Sequence, residues 1–217
     1  MRVSLFRKYF RYAGLIVEEE APEHFRLTNE IVFELRQLNY VEQWRRSFIK
    51  RWFHVRLADQ SLFVFDEREN KQSYGYYACP LEIVSFQSFL LDQGLEHTQR
   101  NRAEYQEQYD LVIQTANLKE SFTPIRYDRD DGSYRSCVHP SAHVHIGLNN
   151  EIRVATRRSM SPIAFILFII RQHYPKNWER LLEHADELKL SHRIRADLEL
   201  IGAENWMDAD EHQLYFS

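Results

Sequence analysis

Apolar and polar positions alternate most cleanly between residues 142 and 156. Along Ala142-His143-Val144-His145-Ile146-Gly147, the histidines fall on one side of an extended chain and Val144 and Ile146 on the other. The partner strand is the run 151–156. A loop of Asn149-Asn150 alone would set Ile146 against Arg153. A three-residue loop, Leu148-Asn149-Asn150, instead pairs Ile146 with Ile152 and Val144 with Val154, and it brings Arg153 beside His145. An Asn can take the left-handed position that such a loop requires. Upstream, Asp131-Gly132 is a hairpin signal. As a two-residue type I′ turn it sets Asp128 opposite Arg135, Arg126 opposite Cys137 and Ile125 opposite Val138. Pro140, with no N–H to donate, then interrupts that ribbon. The pattern predicts two consecutive hairpins within 122–156, with one apolar face and one face presenting His143, His145 and Arg153.

Helical periods flank this ribbon. Ile31, Leu35, Leu38, Val41 and Trp44 recur near a 3.6-residue spacing behind Thr28 as cap, predicting one helix that runs to Arg46 or beyond. Residues 53–65 read as a hairpin turning at Asp59-Gln60-Ser61, and the polar run 67–73 as a loop or an extension of the next strand. Residues 80–91 begin at Pro80 and end before Gly94, the start and stop of a helix. Residues 98–110 are an exposed helix or a connector, and 111–116 a strand or the end of that helix. Ser161-Pro162 is an N-cap followed by Pro at N1, opening PIAFILFIIRQHY, apolar nearly all round and so a buried helix. Pro175 stops it; an amphipathic helix over 177–190 and a last helix near 193–200 follow. Residues 1–26 show no clean period. The expected fold is a single α+β domain over 1–217, an antiparallel sheet of hairpins with helices packed on one face.

Composition narrows the classes. The chain has 217 residues, a formal charge of −4, 44% hydrophobic and 28% charged residues, ordinary for a soluble globular protein and unlike a nucleic-acid-binding polycation. Charge is uneven, with a basic, aromatic-rich run at 44–56 and an acidic one at 199–211. The six glycines form no phosphate-binding loop. The two cysteines, Cys79 and Cys137, lie far apart and read as free thiols of a reducing compartment. No apolar run is long enough for a membrane span and no signal peptide is evident, so the expected location is cytoplasmic.

Three of the ten histidines lie between positions 139 and 145, close to Arg126-Tyr127-Asp128. This RYD followed by His139-Pro140-Ser141-Ala142-His143-Val144-His145 resembles the RYD…PHxH signature of small toxins of bacterial toxin–antitoxin modules, to which ribonuclease activity is ascribed. It departs from them in that Ser141-Ala142 separates Pro140 from His143. Together with Arg153, Ser161-Pro162, Phe165 and Tyr174-Pro175, the motif also resembles an uncharacterised bacterial family of about this length. Carried over, the toxin resemblance implies Arg126, Asp128, His143 and His145 as the site, RNA as the substrate and an antitoxin-like protein partner.

Three chemistries are open. In a metal-independent nuclease, His143 and His145 share the acid and base roles, since an imidazole titrates near neutral pH; Arg126 and Arg153 brace the phosphorane and Asp128 orients a ring. No cofactor is then needed. In a metal-dependent hydrolase, His139, His143 and His145 ligate a divalent ion, with Asp128 as a fourth ligand or hydrogen-bonded behind one; no Glu- or Cys-containing metal motif accompanies them. In a non-catalytic binding protein, the 44–56 stretch and the acidic tail make the contacts. Asp128 and Arg135 as a plain cross-strand ion pair is the structural alternative to a catalytic Asp128.

Overall fold

In the computed structural model, which describes residues 6–22, 25–68, 71–148 and 152–217, the helix opened by Ser161 sits on the middle of a sheet. This helix, α6 (Pro162–His173), has its Ser161 Oγ accepting from Ala164 N at 3.1 Å. Phe165, Ile166, Leu167, Ile169 and Ile170 on it are fully buried. An apolar surface spread around the whole helix needs cover on every side, and the sheet supplies one of them.

Among the described residues the sheet has eight strands in sequence order: β1 (Val17–Glu20), β2 (Val55–Leu57), β3 (Leu62–Arg68), β4 (Lys71–Tyr77), β5 (Ile125–Asp130), β6 (Ala142–Ile146), β7 (Ile152–Thr156) and β8 (Tyr215–Phe216). Neighbours are antiparallel except β7 and β8, which are parallel. Strand β3 shows how the layers divide. Phe63 and Phe65 join the core that holds α6, α1 (Arg7–Ala13) and α7 (Pro175–Leu182), with Tyr74, Tyr76, Tyr127 and Val144. The alternate residues Leu62 and Val64 point to the opposite face. There they meet α3 (Tyr40–Lys50), α4 (Phe86–Asp92) and α5 (Gln99–Thr115) through Trp44, Phe48, Phe86, Leu90 and Tyr109. The one-sided helical cover expected from the pattern describes the α6 face, and the β3 end of the sheet carries a second helical layer on its other face. The remainder of that second face, over β5 to β7, is left for polar side chains.

Elsewhere the boundaries shift for local reasons. The helix expected from Thr28 to Arg46 is two, α2 (Asn29–Arg36) and α3, because Asn39 adopts extended backbone and caps Glu42 N at 3.0 Å. Helix α4 starts at a Ser85 cap rather than at Pro80 and ends before Gly94 at φ +73. Residues 111–116 are the end of α5 and not a strand. Residues 67–68 and 71–73 are the ends of β3 and β4, paired Glu67 to Gln72 and Arg68 to Lys71. The expected helix over 177–190 is broken into α7 and the short α8 (Ala185–Leu188), and the last helix reduces to a single turn, His192–Ala196. Both cysteines are free, Cys79 buried and Cys137 exposed. No helix among the described residues is long and apolar enough to cross a membrane.

Candidate functional site

Strands β5 and β6 build the site by alternation. Tyr127 and Val144 face α6, so Arg126 and Asp128 on β5 and His143 and His145 on β6 point away from it. The register sets Arg126 opposite His145 and Asp128 opposite His143. On the next strand Arg153 lies opposite His145, Val154 opposite Val144 and Ile152 opposite Ile146, the three-residue-loop register read from side-chain matching. The left-handed Asn expected in that loop lies outside the described residues.

The Asp131-Gly132 hairpin does not form. Residues 131–133 make one turn of 3-10 helix, and neither Asp131 nor Gly132 has the positive φ that a type I′ turn needs. The chain instead makes a longer excursion before re-entering the sheet at Ala142. Within it Arg135 N donates to His139 O at 2.9 Å, and Cys137 takes the left-handed conformation at φ 59. The proposed pairing of Asp128 with Arg135 is therefore replaced by Asp128 with His143, and those of Arg126 with Cys137 and Ile125 with Val138 by His145 and Ile146. One distant carboxylate holds the excursion. Asp210 accepts from Cys137 N at 2.7 Å, Tyr134 Oη at 2.6 Å, Ser136 Oγ at 3.2 Å and Met207 N at 2.9 Å.

At the centre, His143 Nε2 lies 3.0 Å from His145 Nε2. His143 Nδ1 is 3.0 Å from the Pro140 carbonyl, which can only accept. The ring's hydrogen therefore sits on Nδ1, and Nε2 presents a lone pair. His145 Nε2 is also 3.4 Å from Asp128 Oδ2. That oxygen accepts from Arg126 Nε at 2.7 Å and stands 2.7 Å from Arg126 Nη2, while Asp128 Oδ1 accepts from Ser73 Oγ at 2.7 Å. Both imidazoles are nearly buried, at 3% and 4% exposure.

The electrostatics follow from these contacts. Burial opposes ionisation of Asp128, but the hydrogen bond from His145, the Arg126 charge and the Ser73 hydroxyl outweigh it and hold the carboxyl well below the usual carboxylate range. Burial, and next the charge of His145, pull His143 down to about 4. His139 is lowered by burial and by the charges of Arg153 and Arg135. Its ring packs edge-on against His143 at a centroid distance of 5.2 Å, and its Nδ1 is buried without a partner among the described residues.

The structure thus brings together four of the expected residues, Arg126, Asp128, His143 and His145, and stations Arg153 at the rim. The ligand atoms that converge belong to Asp128, His143 and His145, all within 4.8 Å of one another; His139 stands beside that group. Two histidine nitrogens in mutual contact leave no room for a phosphate between them, so separate acid and base roles on its two sides do not fit. Ser73 and Asp210 escaped the sequence reading, since each acts from a segment far away in the chain with no motif of its own.

The basic-aromatic stretch resolves into core and solvated charge. Trp44, Phe48, Phe53 and His54 are buried, and Arg56, 5% exposed, is tied to Glu19, Glu18 and Gln60 and lies over the Phe48 ring. The acidic tail folds back through Asp210, and through Glu211, which accepts from Trp206 and Tyr215.

A family model described as "Uncharacterized conserved protein (DUF2290)" matches residues 18–211. The chain belongs to this family. The matched segment of this DUF2290 protein contains all five expected site residues together with His139, Ser73 and Asp210. No curated protein and no solved structure matches it.

Proposed function

We propose that this protein is a cytoplasmic nuclease that cuts phosphodiester bonds in RNA at the β5–β7 face. One observation carries the reading. An ionised Asp128 and two imidazoles in direct contact lie beneath a rim of cations, Arg126, Arg153 and Arg135. Arg135 and Arg153 are exposed and form no ion pair among the described residues, which leaves them available for a phosphate. In the reaction a hydroxyl or water oxygen gives up its proton at the His–Asp cluster and bonds to phosphorus. The bond to the leaving oxygen breaks, that oxygen takes a proton from solvent, and the guanidinium groups hold the phosphorane charge.

An aromatic stack lies beside Arg126. Tyr40 stacks on Phe122 at 5.5 Å and on Tyr77 at 6.1 Å. The Tyr77 ring crosses Gly75, where any Cβ would meet it at 2.7 Å. A small cleft of about 40 Å³, lined by Tyr40, Tyr77, Arg126 and Gly147, has room for little more than a water molecule. The test is cleavage of end-labelled single-stranded RNA, duplex RNA and DNA by the purified chain and by Arg153→Ala and Arg135→Ala, both surface changes. RNA should be cut, with each substitution weakening substrate use roughly tenfold or more, as loss of a hydrogen bond to a charged group does. Variants that cut like the parent, or a parent that cuts no RNA, would overturn the reading.

A further inference from the structure

We propose that Asp128, His143 and His145 form a binding site for one divalent transition-metal ion. The inference deepens the nuclease reading, with these three groups acting as ligands in place of proton acceptors, and its catalytic half rests on that reading.

Hydrogen counting makes the first argument. His143 carries its hydrogen on Nδ1, toward Pro140 O, so its Nε2 is a bare lone pair. His145 can place at most one hydrogen on its own Nε2, yet that nitrogen faces both His143 Nε2 and Asp128 Oδ2. His143 Nε2 and Asp128 Oδ2 therefore compete for a single hydrogen from His145 in a nearly buried place, and only Oδ2 has other donors, from Arg126. A cation with more than one bond to give fits such a convergence better than a proton does.

Distance makes the second. A metal bonded at about 2.1 Å holds two ligand atoms about 3.0 Å apart at a right angle and about 3.4 Å apart at the tetrahedral angle. The nitrogens here are 3.0 Å apart, and His145 Nε2 is 3.4 Å from Asp128 Oδ2. These two pairs stand at the spacing of neighbouring ligands, and all three atoms lie within 4.8 Å of one another. The groups behind them are of the kind that support ligands, with a backbone carbonyl fixing the His143 ring and Ser73 and Arg126 holding the carboxylate.

The donor set names the class of ion. Two imidazoles and one carboxylate suit zinc, manganese, iron or cobalt better than magnesium or calcium, which prefer oxygen throughout. Three protein ligands leave positions for water and for a phosphate oxygen. With a dipositive ion present, Asp128 and Arg126 cancel and the site keeps two positive charges, which favours an anionic substrate. When bound, the ion supplies Lewis acidity and an acidified water.

The metal-stripped full chain is titrated with cobalt(II), followed by visible absorption, and with zinc(II), followed by calorimetry. One equivalent should bind, and Asp128→Asn and His143→Ala should each weaken binding at least tenfold. Both positions are largely buried, so a second measurement uses the unaltered chain: the side-chain nitrogen resonances of His143 and His145 should shift on zinc addition, at Nε2 in both. Absence of saturable binding, or binding that leaves those resonances in place, overturns the proposal. Metal bound without RNA cleavage by any loaded form would instead sink the nuclease reading and leave this site standing. RNA cleavage that survives EDTA in a chain that binds no metal would do the reverse.

Discussion

Asp128 accepts from residues on three strands, Ser73 on β4, Arg126 on β5 and His145 on β6, and none of these three contacts follows from its immediate neighbours in sequence alone. Its carboxyl is held below its usual range, so it stabilises the fold at neutral pH, and that contribution is lost only in strong acid. The histidines set the milder limit. His143 and His54 are both buried and both pulled down to about 4, His54 by burial first, with its Nδ1 accepting from Phe65 N at 3.1 Å. Between pH 6.5 and 4 the unfolded chain takes up protons that these two rings refuse, so stability falls as pH falls through that window. Each ring costs on the order of 3 kcal/mol by the lower end. Urea unfolding midpoints should therefore drop steadily from pH 7 to pH 4.5 with the denaturant slope unchanged. A flat profile would mean that the rings are not held neutral in the native state.

Elements show where sequence reasoning reaches and where it stops. The β6–β7 register was legible because Val144, Ile146, Ile152 and Val154 must all serve one face, and a shift by one residue would have put Arg153 there. Helix α6 was legible from its Ser-Pro start and its apolar surface. The Asp-Gly turn misled because local turn chemistry lost to a tertiary anchor: Asp210 gathers Tyr134, Ser136 and Cys137 from a position remote in sequence. The same anchor keeps Pro140 where its carbonyl orients His143. Asp210→Ala would remove the carboxylate that accepts from Cys137 N and Met207 N, at about 1 kcal/mol for each hydrogen bond, since both residues are exposed and water can replace it. Hydrogen exchange at the Cys137 amide should accelerate well beyond any change in the β5 or β6 amides. Unchanged protection at Cys137 would show that the excursion is held by something else. The His–His contact was beyond sequence reasoning altogether: alternation put the two rings on one face, but only the Pro140 carbonyl turned their nitrogens toward each other.

At the scale of the whole molecule, the sheet divides the labour. One face packs against α1, α6 and α7 as the main core, and the opposite face is split between the α3–α5 layer at the β3 end and the polar group on β5 to β7. The α+β class was readable from periodicity because nearly every strand and most helices bury a face of their own. The second helical layer was not, since the rings of the 44–56 stretch look alike whether they meet solvent or a neighbouring helix. That layer stiffens β3 and β4 from behind, and β4 in turn supplies Ser73 to Asp128. The central claim is that the contact between His143, His145 and Asp128 is a reaction centre for RNA. Its most direct test is the rate of RNA cleavage by His143→Ala beside the parent chain, with both confirmed folded by their near-ultraviolet circular dichroism. The account predicts a loss of about a hundredfold or more. Equal rates in the two proteins, or no RNA cleavage by either, would contradict it.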